Sequence, residues 1–367
     1  MTQPLSSNTT AEFAALPWWH PSRHADRRAG LILRGKIKSA IRAFFVADGF
    51  TEVEPGCLQV SPGNEAHLHA FSTEFRTDAG RRTPLYLHTS PEFAMKKLLA
   101  AGETRIFAFA PVFRNREGGA RHAAEFTMLE WYRADQSLQS IMDDCLAIVR
   151  IAAKAAGDKP WQHRGRIVMP LSEARQLSVV DAFRQAGIDL LVTLNEHTAN
   201  GEFTANRDAL AAQVDRIGMR VAVDDTWSDL FSRVLVERVE PTLAAVAAPL
   251  FLTHYPTHEA ALARPTPEDP RLAERFELYV AGLELANCFG ELTDAGEQRR
   301  RFEAEMAEKQ RVYGERYPID DDFLAALALM PQASGGALGF DRLVMLATGA
   351  SDIKQVLWTP LEPGSFA

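Results

Sequence analysis

The feature that most limits the fold of this chain is a pair of β-prone runs that lie ten residues apart. The run "RIFAFAPVFR" begins at Arg105, the run "EFTMLEWYR" begins at Glu125, and both are rich in aromatic and β-branched residues. A parallel pair needs a crossover connection of about a dozen residues or more, so these runs are predicted to pair as an antiparallel hairpin. The connection is long for a hairpin, and such loops are usually functional or mobile.

Other strand-like runs lie in the outer thirds of the chain without regular crossover helices between them. They are a short run near Phe50, "PLYLHT" (84–89), "PLFLTH", the long stretch "ERFELYVAGLELANCFGEL" and the glycine-rich "GGALGF". Helices are predicted from Leu33 to Phe45, from Phe93 to Ala101, after Ser137, from Ala295 to Gln310 and after Phe340. This mixture predicts an α+β fold, a mostly antiparallel sheet flanked by helices.

The length of 367 residues suits one large domain that carries an insert. We predict an N-terminal tail over residues 1–28 and a main domain over residues 29–350. A mostly helical insert is expected at about residues 157–248, and residues 351–367 form a C-terminal segment.

Charge and composition exclude several classes of protein. A net charge of −8 and a pI near 5.7 argue against a surface that coats nucleic acid. No apolar run approaches the roughly 18 residues of a membrane span, and the polar N-terminus does not resemble a secretion signal. Three widely spaced cysteines indicate no disulfide framework or zinc site, so a reducing cytoplasm is expected.

The hairpin loop gathers positive charge in an acidic protein. Arg114 stands where the first strand ends, and a guanidinium there can offer parallel donors to a phosphate or a carboxylate. Gly118 and Gly119 would let the loop backbone approach a ligand. Taken alone, the loop is more consistent with a solvated hairpin that carries surface arginines.

Acidic residues supply a second group of candidates. Glu92 follows a strand in the sequence "SPE" and could bind an ammonium group, or it could be a first-turn acid that interacts with the helix dipole. Glu284 and Glu291 are seven residues apart, a spacing that puts them on opposite faces of a regular strand. A bulge at Gly290 or the end of the strand could bring them together, and two acids beside a phosphate site suggest Mg²⁺.

The last candidate is the sequence "GGALGFDRL", in which glycines would let a flat group lie against the strand. Arg342 would project at the junction of strand and helix. The pattern does not fit a P-loop.

The joint order of these motifs resembles the catalytic domain of class II aminoacyl-tRNA synthetases of the lysyl type. "FFVADGFTEVEPG" is similar to motif 1 of that class, "FRN" with "EFTMLEWY" to motif 2, and "GGALGFDRLVML" to motif 3. "ELANCFGELTDAGEQRRRFE" is similar to a branch that attaches β-lysine to a lysine of elongation factor P. Some 30 residues precede motif 1, too few for an anticodon-binding OB domain, so we expect a protein acceptor and not tRNA.

The resemblance implies ATP and Mg²⁺ as cofactors, lysine or (R)-β-lysine as substrate, and a homodimer formed through motif 1. Arg114 would stabilise the α-phosphate, Phe126 would stack under adenine, and Arg342 would cover the other face of the ring. The implied ATP-binding residues are Arg114, Asn115, Arg116, Phe126, Glu284, Leu285, Gly339 and Arg342. The implied amino acid-binding residues are Ser90, Pro91, Glu92, Tyr132, Glu291 and Ala337. Arg114 and Arg342 are the implied catalytic residues, and Glu284 and Glu291 are the implied metal ligands.

The chain departs from the family pattern inside motif 2. Arg116 stands where the family has a glutamate that reads the adenine amino group, Ala123 stands where it has asparagine, and Ala124 follows. In the fourth motif Cys288 replaces a glycine. Two alternatives therefore stay open: an amino acid-activating ligase with a carrier protein, small molecule or tRNA as acceptor, and a non-catalytic regulatory dimer.

Overall fold

The computed structural model describes residues 16–195 and 204–362. Within these ranges the strands are β1 (Thr51–Glu52), β2 (Leu58–Gln59), β3 (Phe71–Arg76), β4 (Arg82–Leu87), β5 (Arg105–Phe113), β6 (Glu125–Ala134), β7 (Trp161–His163), β8 (Arg166–Val168), β9 (Arg175–Ser178), β10 (Leu250–Thr253), β11 (Arg275–Val280), β12 (Leu283–Gly290) and β13 (Ala333–Gly339). Eight of them form the central sheet in the order β1-β5-β6-β13-β12-β11-β10-β9. Only the pairs β1–β5 and β9–β10 are parallel, so the prediction of a mostly antiparallel sheet is confirmed.

Helices cover both faces of this sheet. Those in the described ranges are α1 (Pro21–Ala47), α2 (Glu92–Ala100), α3 (Leu138–Ala155), α4 (Val179–Gln185), α5 (Arg207–Arg216), α6 (Trp227–Val234), α7 (Glu240–Leu243), α8 (Ala295–Tyr313), α9 (Asp321–Leu327) and α10 (Phe340–Thr348). The strands β2, β3 and β4 form a separate small sheet beside α2, and β7 pairs with β8.

Strand β6 shows how the two faces of the sheet differ. Leu129 and Trp131 point to a core that α1, α3 and α10 cover, together with Leu338 and Cys288 of the neighbouring strands. The alternate residues of β6, Phe126 and Met128 among them, line a cavity on the opposite face. Because successive side chains of a strand point to opposite faces, alternate residues of β6 pack in the core and line the cavity.

Two smaller cores hold the elements around the cavity. Beside the far end of β5, Phe93 of α2 stacks on Phe323 of α9 at 4.1 Å between ring centroids. At the other end of the sheet, helices α4 to α6 enclose aromatic residues such as Phe183 and Phe231.

Three expectations need correction. Helix α1 begins at Pro21, so residues 21–28 are not tail; their charged sequence hides the helical period, and Arg27 is anchored by donating to the carbonyl of Leu357. The region 157–248 is not wholly helical, because it contains β7 and β8 and also β9, which joins the central sheet. The long run from residue 275 is a hairpin and not one strand, since Ala281 and Gly282 adopt positive φ values of 54° and 71° and reverse the chain.

Residues 1–15, 196–203 and 363–367, which include parts of the predicted tail, insert and C-terminal segment, lie outside the described ranges. No helix in the described part of the chain is long and apolar enough to cross a membrane.

Candidate active site

A cavity of about 350 Å³ lies on the sheet face opposite the α1–α3–α10 core, and it is lined by residues of "SPE", motif 2, the "ELAN" stretch and motif 3, but not by residues of motif 1. The predicted site residues in its wall are Ser90, Glu92, Arg114, Phe126, Glu284, Leu285, Ala337, Gly339 and Arg342. The fold therefore brings together positions that are up to about 250 residues apart in sequence.

Arg114 stands at one end of this cavity, directly after β5. Its Nε donates to the carbonyl oxygen of Thr89 at 3.2 Å, and its guanidinium lies 5.4 Å from the ring centroid of Phe126. The backbone and the ring fix the orientation of the guanidinium. Its Nη1 lies 3.9 Å from a carboxylate oxygen of Glu117, too far for a hydrogen bond, so the terminal nitrogens can still donate to an anion.

The hairpin loop supplies further charged groups to the same space. His122 contacts Glu117 at 2.9 Å through Nδ1, and its Nε2 lies 3.2 Å from Nη2 of Arg342. Burial raises the pKa of Glu117, but the hydrogen bond from His122 and the charge of Arg114 outweigh it and hold the pKa below its usual range. Arg121 also lines the cavity, so three arginines and a histidine border the space around Glu117.

Asn115 and Arg116 do not line the cavity. The backbone N–H of Asn115 donates to the carbonyl of His69, and its side chain accepts from the backbone N–H of Arg116. Arg116 has a φ of 63° and its guanidinium pairs with Glu315 on the outside. This left-handed residue shifts the register of the loop, so that Glu117 is the residue that faces the cavity.

The acidic pair of the cavity is Glu277 with Glu284, and this corrects the expected pair of Glu284 with Glu291. Strand β12 has a bulge: Leu278 pairs with Ala286 and Tyr279 with Glu284, so Leu285 is the extra residue. The bulge puts Glu284 and Asn287 on the cavity face together, and it lies at Leu285 and not at the predicted Gly290.

The two acidic pairs differ in separation. Glu284 lies opposite Tyr279, so it is a diagonal neighbour of Glu277, at about 7–8 Å between Cα atoms. Burial raises the pKa of Glu284, and the nearby charge of Glu277 raises it further. Glu291 is about 20 Å from Glu284 along the strand at the usual rise per residue. Two side chains cannot span that distance to one ion with oxygen ligands at about 2 Å.

In the described ranges no group of three or more His, Cys, Asp or Glu side chains is arranged as a metal site. A pair of carboxylates still fits the usual protein contribution to a Mg²⁺ ion, whose other ligands are phosphate oxygens and water. Glu277 and Glu284, at the end of the cavity that Arg342 borders, are such a pair.

Glu291 does not line the cavity; it belongs to a buried ion-pair triad with Lys96 and Glu92, of which Glu92 is in the cavity wall. The Nζ atom of Lys96 lies 2.6 Å from a carboxylate oxygen of Glu92 and 2.6 Å from one of Glu291, and the lysine side chain is fully buried. Burial raises the pKa of Glu291 to about 7, an effect that the charge of Lys96 opposes. Burial lowers the pKa of Lys96, but its two carboxylate partners raise it by more, so this lysine stays charged.

Tyr132 lies beside Glu291 of the triad but is not in the cavity wall. Its hydroxyl donates to Glu130 at 3.0 Å, and Ser90 donates to the other oxygen of the same carboxyl group. Burial and the charge of Glu92 raise the pKa of Glu130 to about 8. A Cβ atom at Gly335 would overlap the ring of Tyr132 and the carboxylate of Glu291, so glycine is what lets these two side chains approach.

Several residues in or beside this site were not predicted from the sequence. They are Glu65, Lys96, Glu117, Arg121, His122, Arg275, Glu277 and Asn287. Lys96 could have been found, because it lies four residues after Glu92 on a predicted helix. Glu277 could have been found from the Ala281-Gly282 turn signal, which makes the acids cross-strand neighbours. Pro91 is the N-cap of α2 and does not line the cavity.

The antiparallel sheet, the arginine-bearing hairpin loop and the glycine-rich strand that leads into Arg342 define the catalytic domain of a class II aminoacyl-tRNA synthetase. The profile of the family "tRNA synthetases class II (D, K and N)" matches residues 18–362. Proteins named elongation factor P–(R)-β-lysine ligase are similar along nearly the whole chain. The protein from Haemophilus influenzae (strain PittGG) is 38% identical over 345 residues, which cover 94% of this chain and 97% of that protein. Those from Sodalis glossinidius and Proteus mirabilis are also 38% identical, over 92% and 94% of this chain and 96% and 97% of their own lengths. The chain belongs to the class II tRNA synthetase family, in the branch of the elongation factor P–(R)-β-lysine ligases.

Proposed function

We propose that this protein uses ATP to activate (R)-β-lysine, or lysine, as an aminoacyl-adenylate and transfers the acyl group to a lysine of elongation factor P. The observation that carries the proposal is the distribution of charge around one cavity. Arginines and an acid pair line one part of its wall, and in another part the wall residue Glu92 belongs to the buried carboxylate–lysine triad. This is the charge pattern that a nucleotide and a diamino acid require.

In the first step a carboxylate oxygen of the amino acid attacks the α-phosphorus of ATP. The bond from that phosphorus to the bridging oxygen breaks, and pyrophosphate leaves with the electron pair. Arg114 would hold the α-phosphate and neutralise charge that grows there, while Arg342 and Arg121 would hold the departing phosphates. Such a displacement needs mainly positioning and fixed positive charge.

Glu277 and Glu284 would hold Mg²⁺ against the phosphates. A bound Mg²⁺ ion would neutralise phosphate charge and fix the shape of the triphosphate. The wall of Phe126 and the backbone near Gly339 would take the adenine ring, and Ala337 would border the amino acid.

In the second step a neutral lysine amine of the acceptor attacks the carbonyl carbon of the adenylate. An amide bond forms, the bond from the carbonyl carbon to the phosphate oxygen breaks, AMP leaves with that electron pair, and the amine loses a proton. No side chain of this protein has to become covalently attached. Elongation factor P is the acceptor that the names of the similar proteins support.

ATP–pyrophosphate exchange tests the first step. We expect exchange with (R)-β-lysine above that with other amino acids, and a loss of orders of magnitude in Arg114→Ala. Arg116→Ala is the matched control, because it removes an arginine of the same loop that points away from the cavity. Absence of exchange with every amino acid would refute adenylate formation and favour the regulatory dimer. Exchange without transfer to elongation factor P would favour another acceptor.

Two further expectations belong to this proposal. We propose a homodimer through α1 and β1, since β1 forms one edge of the sheet and Val46 of α1 is 57% exposed. We also place the reaction in the cytoplasm, since Cys57, Cys145 and Cys288 are free thiols. Light scattering of the purified protein tests the dimer, and a monomeric mass would contradict it.

A further inference from the structure

Glu65 lies in the loop between β2 and β3 and lines the cavity, although no motif drew attention to it. Burial raises the pKa of its carboxyl group, and the charge of Arg114 opposes that effect. The carboxylate forms no hydrogen bond or ion pair with any residue in the described ranges 16–195 and 204–362. A carboxylate in such a place is costly unless a positive charge accompanies it.

Every other acidic side chain in the described wall of the cavity has a partner. The pairs are Glu92 with Lys96, Glu117 with His122, Glu277 with Arg275 and Tyr279, Glu284 with Arg342, and Asp341 with Arg34. Glu65 is therefore the carboxylate of this wall that is left for a ligand.

The loop that carries Glu65 is held firmly on α8. Fully buried Lys309 donates to the carbonyls of Ala66 and Leu68 at 2.9 and 2.7 Å, and Glu305 accepts from the backbone N–H of Ala66 at 2.8 Å. Asn64 donates to the carbonyl of Pro318 at 3.2 Å. These contacts on both sides of residue 65 hold the loop on α8, and Glu65 in this loop lines the cavity.

The charges of the site indicate which group of the ligand Glu65 would bind. The triad of Glu92, Glu291 and Lys96 carries at most one net negative charge, enough for one ammonium group. A diamino acid has two ammonium groups, so the second one needs another carboxylate. The loop that carries Glu65 accepts a hydrogen bond from the backbone N–H of Asn115 through the carbonyl of His69 at 2.7 Å, so it lies beside Arg114, where the substrate carboxyl group would be activated.

We infer that Glu65 binds the ammonium group next to the reacting carboxyl group of the diamino acid, while the Glu92–Lys96–Glu291 triad serves the distal one. This inference rests on the proposed function and specifies its substrate class. It makes Glu65 a residue that discriminates diamino acids from acids with a single, distal ammonium group. Loss of one hydrogen bond to a charged group corresponds to about a tenfold to a hundredfold change.

The test compares Glu65→Gln with the wild-type protein on two compounds. One is (R)-β-lysine, and the other is 6-aminohexanoic acid, which lacks the ammonium group near the carboxyl group. We expect Glu65→Gln to lower kcat/KM for (R)-β-lysine in exchange by about tenfold to a hundredfold, mostly through KM. The KM for ATP and the inhibition constant of 6-aminohexanoic acid should stay within about twofold, and Glu65→Asp should restore part of the loss.

Glu74→Gln is the control, because Glu74 lies on the following strand and pairs with Arg76 outside the cavity. An equal loss of affinity for both compounds, an unchanged KM for (R)-β-lysine, or an effect confined to ATP would each overturn the inference. Calorimetric binding of the same compounds gives a readout that does not need turnover. An inactive wild type that still binds (R)-β-lysine through Glu65 would refute the proposed reaction but not this assignment.

Discussion

Replacement of Lys96 by methionine should destabilise the protein far more than the same change at its neighbour Lys97. Lys96 is fully buried and contacts both Glu92 and Glu291 at 2.6 Å. Methionine keeps the length and apolar character of the side chain and removes its charge. Two carboxyl groups would then share a buried space without a counter-charge.

The expected loss of stability depends on how deeply each lysine is buried. Removal of one partner from a buried ion pair costs about 3–5 kcal/mol, because the remaining charge stays desolvated. Lys97 pairs with Asp320 and Asp322 at 2.8 and 2.9 Å, but its side chain is 27% exposed. A pair of that kind contributes about 1 kcal/mol or less. We therefore expect a difference of at least about 2 kcal/mol between the two variants.

Urea unfolding at several pH values measures this difference. Without Lys96, the charge that opposes the raised pKa of Glu291 is lost, so the native variant keeps a proton that the unfolded chain releases. Its stability should therefore fall as pH rises from about 5 through about 7, and the deficit relative to wild type should grow. Saturating (R)-β-lysine should recover more stability in Lys96→Met than in wild type, because the ligand supplies the missing charge. Equal destabilisation of the two lysine variants would show that the buried position of Lys96 does not increase the contribution of its ion pairs.

Three further changes test other parts of the site. Glu130→Gln should flatten the pH dependence of stability between about pH 5 and pH 8. Burial raises the pKa of Glu130 to about 8, so over this range the native protein keeps a proton that the unfolded chain releases, and its stability falls as pH rises. Urea unfolding of both proteins measures this, and parallel curves would contradict it. Glu277→Gln should raise the Mg²⁺ concentration for half-maximal exchange by about tenfold or more, whereas Glu291→Gln should chiefly raise the KM for the amino acid; the reverse result would restore Glu291 as a metal ligand. Gly335→Ala should cost about 1–3 kcal/mol and weaken amino acid binding, because the new methyl group overlaps Tyr132; calorimetric binding equal to that of wild type would show that the overlap does not occur.

The sequence was sufficient to predict the type of fold and the hairpin at its centre. Strands β5 and β6 have the residues expected of strands and lie close together in the sequence, so their antiparallel pairing was predictable. The start of α1 was not predictable in the same way, because residues 21–28 are mostly polar and Arg27 is held by a contact with residue 357. The position of β9 in the central sheet depends on β10, which lies more than 70 residues later.

The site was predicted less completely than the fold. Residues at the positions of the family motifs were predicted from the sequence, but the charged residues that pair with them were not. The bulge at Leu285 decides which acids share a face, and nothing in the local sequence marks it. Glu65 and Lys96 acquire their roles from contacts with α8 and with Glu291, which are distant in sequence.

The most direct test of the account is the intact mass of purified elongation factor P after incubation with this protein, ATP, Mg²⁺ and (R)-β-lysine. We predict an increase equal to one β-lysyl residue on a single lysine, with AMP released in equal amount. Omission of ATP or use of Arg114→Ala should abolish the increase. An unchanged mass of elongation factor P, in a reaction where ATP–pyrophosphate exchange with (R)-β-lysine proceeds, would contradict the proposed acceptor.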